Sequence, residues 1–123
     1  MKTLELPKLT LKQLTEKFAT IAAEMGDAML VWDTPSFNRL FPRLIEVEQE
    51  LKGRSGDQRT ELLSLLGHSN ISVRLQAASA TLAVAPQAAR HTLESIAASG
   101  DMPFAGEAAS RIGNIDSGFF KPT

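Results

Sequence analysis

Cysteine and tyrosine are absent from this sequence, tryptophan occurs once and histidine twice. Without cysteine there is no disulfide scaffold, no thiolate metal site and no cysteine nucleophile. The same absence is compatible with a reducing compartment. An excess of charge of either sign is missing too: 13 Lys and Arg stand against 14 Asp and Glu, a net charge of -1. A general attraction to nucleic acid or to an anionic membrane is therefore excluded. The longest apolar run is Ala28 to Trp32, five residues, far below the roughly 20 that cross a bilayer. No apolar stretch follows Lys2, so no signal peptide is expected and the cytoplasm is the default location. Nowhere does apolar/polar alternation persist between turn signals, so no strand is expected. The length of 123 residues suits one domain.

What is present is helical spacing. Thr10 and Gln13 stand in capping-box spacing, and Leu9 and Leu14 in the spacing of a hydrophobic staple. Leu11, Leu14, Phe18, Ile21, Met25, Ala28 and Trp32 then recur in steps of three and four, marking one buried face. Asp33 or Thr34 is placed to cap a second helix, with Pro35 harmless in its first turn. The expected inner stripe of that helix is Phe37, Phe41, Leu44, Val47 and Leu51. Pro42 removes a hydrogen bond and crowds the Asn38 carbonyl, which implies a kink or a late start.

Gly53 to Gly56 reads as a turn, followed by a third helix from near Asp57 to Gly67. Asn70 caps a fourth helix expected to reach about Val84. That helix carries two apolar stripes: Val73, Ala77, Ala80 and Val84 on one side, Leu75, Ala78 and Leu82 on the other. Two apolar sides imply a helix sandwiched between neighbours. Pro86 opens a fifth helix, and Asp101 is expected to cap a sixth whose inner face is Phe104, Ala108, Ile112 and Ile115. Asp116 to Thr123 has no helical pattern.

The sequence also repeats. Offset by 31 residues, Arg59–Ser79 aligns without a gap with Arg90–Ser110, at six identities in 21 positions. Arg59 meets Arg90, Leu62 meets Leu93, and Ala77-Ala78-Ser79 meets Ala108-Ala109-Ser110. Helix pairs of this length cannot bury an apolar face alone and must stack. Solenoids of such units need about three, so residues 1–56 are expected to act as a divergent third pair. Charge agrees with a cap: residues 1–61 hold 19 of the 27 charged side chains. The expected organisation is a divergent helix pair over 1–56, two repeats over 57–115 and a tail over 116–123.

Leu62-Leu63, Leu65-Leu66, the turn His68-Ser69-Asn70, Val73-Arg74 and Ala77-Ala78 together resemble one HEAT-like repeat. The second unit departs from the pattern, with Ala105 where an arginine would match Arg74. Over nearly its full length the chain is similar to a family of small bacterial HEAT-like proteins of unknown function. That likeness is carried by Asn38-Arg39-Leu40, the Glu48–Gly56 helix end, Val73-Arg74-Leu75, Ala83-Val84-Ala85-Pro86 and Phe120-Lys121-Pro122. The resemblance implies an all-α fold, a short alpha-alpha superhelix of about six helices in HEAT-like pairs. It implies no catalytic residues and no cofactor. It also implies that Arg74 ties a helix–helix turn to the next repeat.

Groups that could carry chemistry are few. His68 and His91 have no partner at metal-ligand spacing, so no metal site is expected. The GxSxG and GxxxxGK[ST] patterns do not occur. Glu46, Glu48 and Glu50 read as a solvated face, with Glu48 pointing about 160° from the other two. Trp32, Phe37 and Phe41 read as packing at a helical bend, any exposed part being an interface candidate. Of Phe119 and Phe120, one is expected to pack across the last helices. The expected binding face combines a Ser72, Gln76, Ser79 ridge with a Glu107, Ser110, Asn114 ridge. The candidate interaction residues are Arg74, Gln76, Ser79, Glu107, Ser110, Arg111, Phe119 and Phe120.

These observations imply a non-enzymatic protein-interaction module with a protein partner, of an immunity type or a regulatory type. Immunity, the neutralising of a co-encoded toxin, follows from the resemblance alone. Nucleic-acid binding is the alternative reading, and an enzyme with a carboxylate–histidine pocket a more remote one. No membrane partner is expected. An imperfectly capped solenoid end pairs readily with its twin, so a homodimer is a further expectation.

Overall fold

The structure is a computed structural model that describes residues 2–123, with side chains from residue 5 onward. Among the described residues it is all helical, with no strand. A 3-10 helix over Lys2–Lys8 precedes α1 (Leu11–Leu30) and α2 (Thr34–Gly53). A second 3-10 helix spans Gln58–Leu65, followed by α3 (Ile71–Ala80), α4 (Pro86–Ala98) and α5 (Phe104–Asp116). No helix is long and apolar enough to cross a membrane.

The capping box forms as the spacing predicts: Gln13 N–H donates to Thr10 Oγ1 at 3.1 Å and Thr10 N–H donates to Gln13 Oε1 at 2.9 Å. Leu14, Phe18, Ile21 and Met25 are buried along the inner face of α1. Trp32 leaves that face. The helix ends at Leu30 in a Schellman turn, where Asp33 N–H reaches Ala28 O and Trp32 N–H reaches Met29 O. Trp32 occupies the left-handed position of this turn, with φ of 57°, and its side chain stands in solvent.

Asp33 caps α2, accepting from Ser36 N–H at 3.1 Å and from the Ser36 hydroxyl at 2.6 Å. The helix passes Pro42 without a break, so the late start is excluded. Both Pro42 and Asn38, whose carbonyl the proline leaves free, are exposed to water. The buried stripe is Leu40, Leu44, Val47 and Leu51, with Phe37 half-buried; Phe41 lies on the flank instead of in the core.

The segment expected as a third α-helix is a 3-10 helix. Leu62 and Leu65, three apart, are both buried, and Leu63 and Leu66 repeat the interval half-buried beside them. A turn of three residues aligns such pairs. The α3 helix stops at Ala80 rather than Val84. Pro86 bars Ala85 from helical geometry, and the buried Thr81 hydroxyl bonds back to Ala77 O at 2.9 Å. Asp101 makes no side-chain cap; α5 begins at Phe104, after Pro103, because the residue before a proline is excluded from the helix.

The two stripes of α3 enter two separate cores. Val73, Ala77 and Ala80 pack with Leu14, Phe18, Met25, Leu44 and Leu62. Leu75, Ala78 and Leu82 pack with Leu93, Ile96, Phe104 and Ala108. At the α1–α3 contact Ser72 is fully buried and donates its hydroxyl to Ala22 O at 2.7 Å. Ser72 therefore faces α1, not the binding ridge expected of it. A Cβ added to Gly26 would lie 2.5 Å from the Ser72 Cβ.

That approach leaves no room for one methyl group. Gly26→Ala is expected to lose about 2 kcal/mol of stability through overpacking. A urea midpoint lowered at unchanged slope is the expected result, and an unchanged midpoint would show that the two helices can part without cost.

Candidate functional site

The outer side of α3 is the floor of a cavity of about 400 Å³. Phe41, Leu44, Ile45 and Glu48 of α2 form one wall, and Glu107, Arg111, Asn114 and Ile115 of α5 the other. Gln76, Ser79 and Leu82 lie beneath, and Phe119 and Phe120 stand at the edge. Periodicity explains this layout: positions 41, 45 and 48 lie on one flank of α2, and 107, 111, 114 and 115 on one flank of α5.

Arg111 organises the polar wall. Its guanidinium donates to Glu107 Oε2 at 3.1 Å, to Ser79 Oγ at 2.6 Å and to Gln76 Oε1 at 3.3 Å. Gln76 is only 3% exposed, and its amide nitrogen finds no acceptor. A buried donor without a partner carries a desolvation penalty of about 1–3 kcal/mol. Across the cavity Glu48 is half-buried, contrary to the solvated face expected of it. Burial pushes its carboxyl above the ordinary value of 4.5, against the attraction of Arg59 and Lys52. Its neighbours follow the sequence reading more closely: Glu46 is exposed, while Glu50 pairs with Arg54 at 2.9 Å.

Of the expected interaction residues, Gln76, Ser79, Glu107, Arg111, Phe119 and Phe120 meet at this cavity. Arg74 and Ser110 do not. Arg74 donates to His68 O at 2.7 Å and Ser69 O at 3.2 Å, holding the turn that precedes its own helix. Neither terminal phenylalanine packs across the last helices as one was expected to: Phe119 is 84% exposed and Phe120 48%. The segment after α5 is held instead by polar bonds, from Phe120 N–H to Asn114 O at 3.0 Å and from Arg59 to Thr123 O at 3.5 Å.

A second recess, of about 230 Å³, lies around Trp32, between Ala28 and Met29 of α1, Phe37 of α2 and Pro103 before α5. Trp32 is 82% exposed, and Leu30, Val31 and Met102 are exposed as well. Phe37 and Phe41 are stacked at 6.1 Å on α2, so aromatic surface runs from this recess toward the cavity. Asp33 beside Trp32 is held below the usual carboxylate range by the Ser36 hydroxyl and amide. The bend is therefore not the closed aromatic packing expected for it, and its exposed part is the interface candidate.

A carboxylate–histidine pocket does not form here. The cavity carries Glu48 and Glu107 but neither histidine. His91 is exposed, and His68 Nδ1 accepts from Asn70 N–H at 3.0 Å within a turn. Among the described residues no group of three His, Asp or Glu side chains is placed to hold a metal ion.

Residues 12–116 match a family described as a domain of unknown function (DUF2019). The chain is also similar to a protein from Rhodopseudomonas palustris of known crystal structure, at 47% identity and a TM-score of 0.91. The match covers 96% of this chain and 98% of that one. No curated protein matches.

Two substitutions test these sites. Trp32→Gly relieves a left-handed residue that buries little, and should raise stability by about 1 kcal/mol; a loss of thermal stability would show that the indole is held by packing. Glu48 has its folded pKa raised, so the cost of its charge is absent in acid and appears as pH rises through 4.5 and above. Glu48→Gln should accordingly be the more stable protein at pH 7, with the difference in denaturation midpoint closing in acid.

Proposed function

This chain belongs to the DUF2019 family, and we propose that it is a non-enzymatic protein-binding module anchored on Trp32. One observation carries the proposal. A large aromatic side chain occupies a helix-terminating position whose φ of 57° suits glycine, and it is left exposed. Strain of this kind persists where it is useful, and tryptophan is prominent among the residues that dominate binding energy at protein interfaces. Leu30 and Val31, next to it in the chain, are exposed as well, and Ala28, Met29, Phe37 and Pro103 line the recess it borders, while Asp33 and Glu107 there add negative charge. Such a surface fits a partner with an apolar recess rimmed by lysine or arginine.

The architecture we attach to this reading is HEAT-like, with Arg59–Ser79 and Arg90–Ser110 as two related units. It is supported by the two cores on either side of α3. It is supported also by the shared behaviour of the aligned arginines: Arg59 clasps Asp57 and Arg90 clasps Asp116, each through two nitrogens. On this reading the protein works in the cytoplasm as an immunity-type or regulatory binder.

Co-purification from the native host is the test. A stoichiometric protein partner is expected with the parent chain and a much reduced yield with the Trp32→Gly variant. Recovery of no partner under several growth conditions, or equal recovery with both proteins, would count against the module.

A further inference from the structure

The cavity over α3 holds one carboxylate that no cation engages. Glu107 is taken by Arg111. Glu48 makes no hydrogen bond or ion pair among the described residues, although it is half-buried. The charged groups around it do not reach it: Arg59 is clasped by Asp57 at 2.7 Å, Lys52 attracts from one turn along α2, and Asp57 opposes. On the far wall Arg111 is already shared by Glu107, Ser79 and Gln76. Gln76 on the floor is only 3% exposed, and its unpartnered amide nitrogen is closed off beneath the cavity surface. Phe41, Leu44, Ile45 and Ile115 make the remaining walls apolar.

Each feature selects a property of the occupant. The unpaired carboxylate selects a compact cation. The walls select an apolar body, and a volume of about 400 Å³ lies in the range of small-ligand sites. An anion is disfavoured because Arg111 is neutralised and Glu48 faces the same space. A single carboxylate gives a metal ion too few ligands.

We infer that this cavity is a binding site for a primary ammonium group carried on an apolar body, with the ammonium on Glu48. The site shares Glu107 with the recess beside Trp32 but does not include the indole, so its test stands or falls independently of the module proposed above. A free amine and a lysine side chain present the same chemistry.

The test uses phenethylammonium chloride and 2-phenylethanol, matched in shape and different in charge, titrated into the full chain and followed by calorimetry and amide NMR shifts. The amine is expected to bind about tenfold or more tightly than the alcohol, the strength of a charge-assisted hydrogen bond. Its shifts are expected around Leu44–Glu48, Gln76–Ser79 and Arg111–Ile115. Glu48→Gln should remove that advantage and leave the alcohol unchanged. Affinity for the amine should rise with pH through the ionisation of Glu48, since only the carboxylate pairs with the cation. Equal binding of both compounds, no binding of either, shifts away from the cavity, or an unaffected Glu48→Gln variant would overturn the assignment. An acetylated, amidated phenylalanyl-lysine peptide distinguishes the sources: tighter binding than the free amine assigns the site to a peptide lysine, weaker binding to a small amine.

Discussion

The contact of α1 with α3 at Gly26 and Ser72 is the constraint on which the rest of the structure depends. Ser72 is at the first turn of α3, fully buried, and its hydroxyl satisfies itself on a carbonyl of α1. Gly26 lets the helices come that close. With α3 pinned there, Val73, Ala77 and Ala80 are committed to the core shared with α1 and α2. Leu75 and Ala78, with Leu82 just past the helix end, are left to build a second core with α4 and α5. The remaining side of the same short helix, Gln76 and Ser79, is what α2 and α5 flank as the cavity floor. A ten-residue helix thus serves two hydrophobic cores and one polar face, which explains why it is rich in alanine: small side chains admit neighbours on every side.

The half-buried carboxylates among the described residues are each met by a partner, with one exception. Arg54 pairs with Glu50, Arg59 with Asp57, Arg90 with Glu94 and Asp116, and Arg111 with Glu107. Two of these arginines also secure backbone far away in sequence: Arg54 donates to Leu6 O and Arg59 to Thr123 O. The exposed pairs add little stability individually, but they settle which charges are spoken for. Glu48 is the half-buried carboxylate outside this scheme, and it lines the cavity whose floor includes Gln76. Burial of an unmatched charge works against folding, and a cation bound to Glu48 would offset that cost.

Local signals in the sequence were legible where chemistry acts over one turn. Thr10 with Gln13, Asp33 with Ser36, and Asn70 with the amides of Ser72 and Val73 are caps whose partners lie within three residues. The double stripe of α3 was legible for the same reason, as periodicity. Pro103 should have displaced the Asp101 cap by the rule for residues preceding proline, and the three-residue spacing of Leu62 and Leu65 could have pointed to a 3-10 turn. Other features depend on neighbours that no local pattern reveals. Glu48 was known to point away from Glu46 and Glu50, but that α5 stands opposite it is a fact of tertiary packing. Trp32 continues the α1 stripe by count, yet the Schellman turn ends the helix before it. Gln76, Ser79, Glu107 and Arg111 meet at the cavity because matching ridges on α3 and α5 follow from helical spacing.

The position of Trp32 has a consequence of another kind. It is the sole indole in the chain, and it sits outside both cores. Its emission is therefore nearly indifferent to whether those cores are intact, since water already surrounds it in the native state. What would alter it is the arrival of something against the bend between α1 and α2. The protein thus carries a native optical probe that is poorly placed to report unfolding and well placed to report contact.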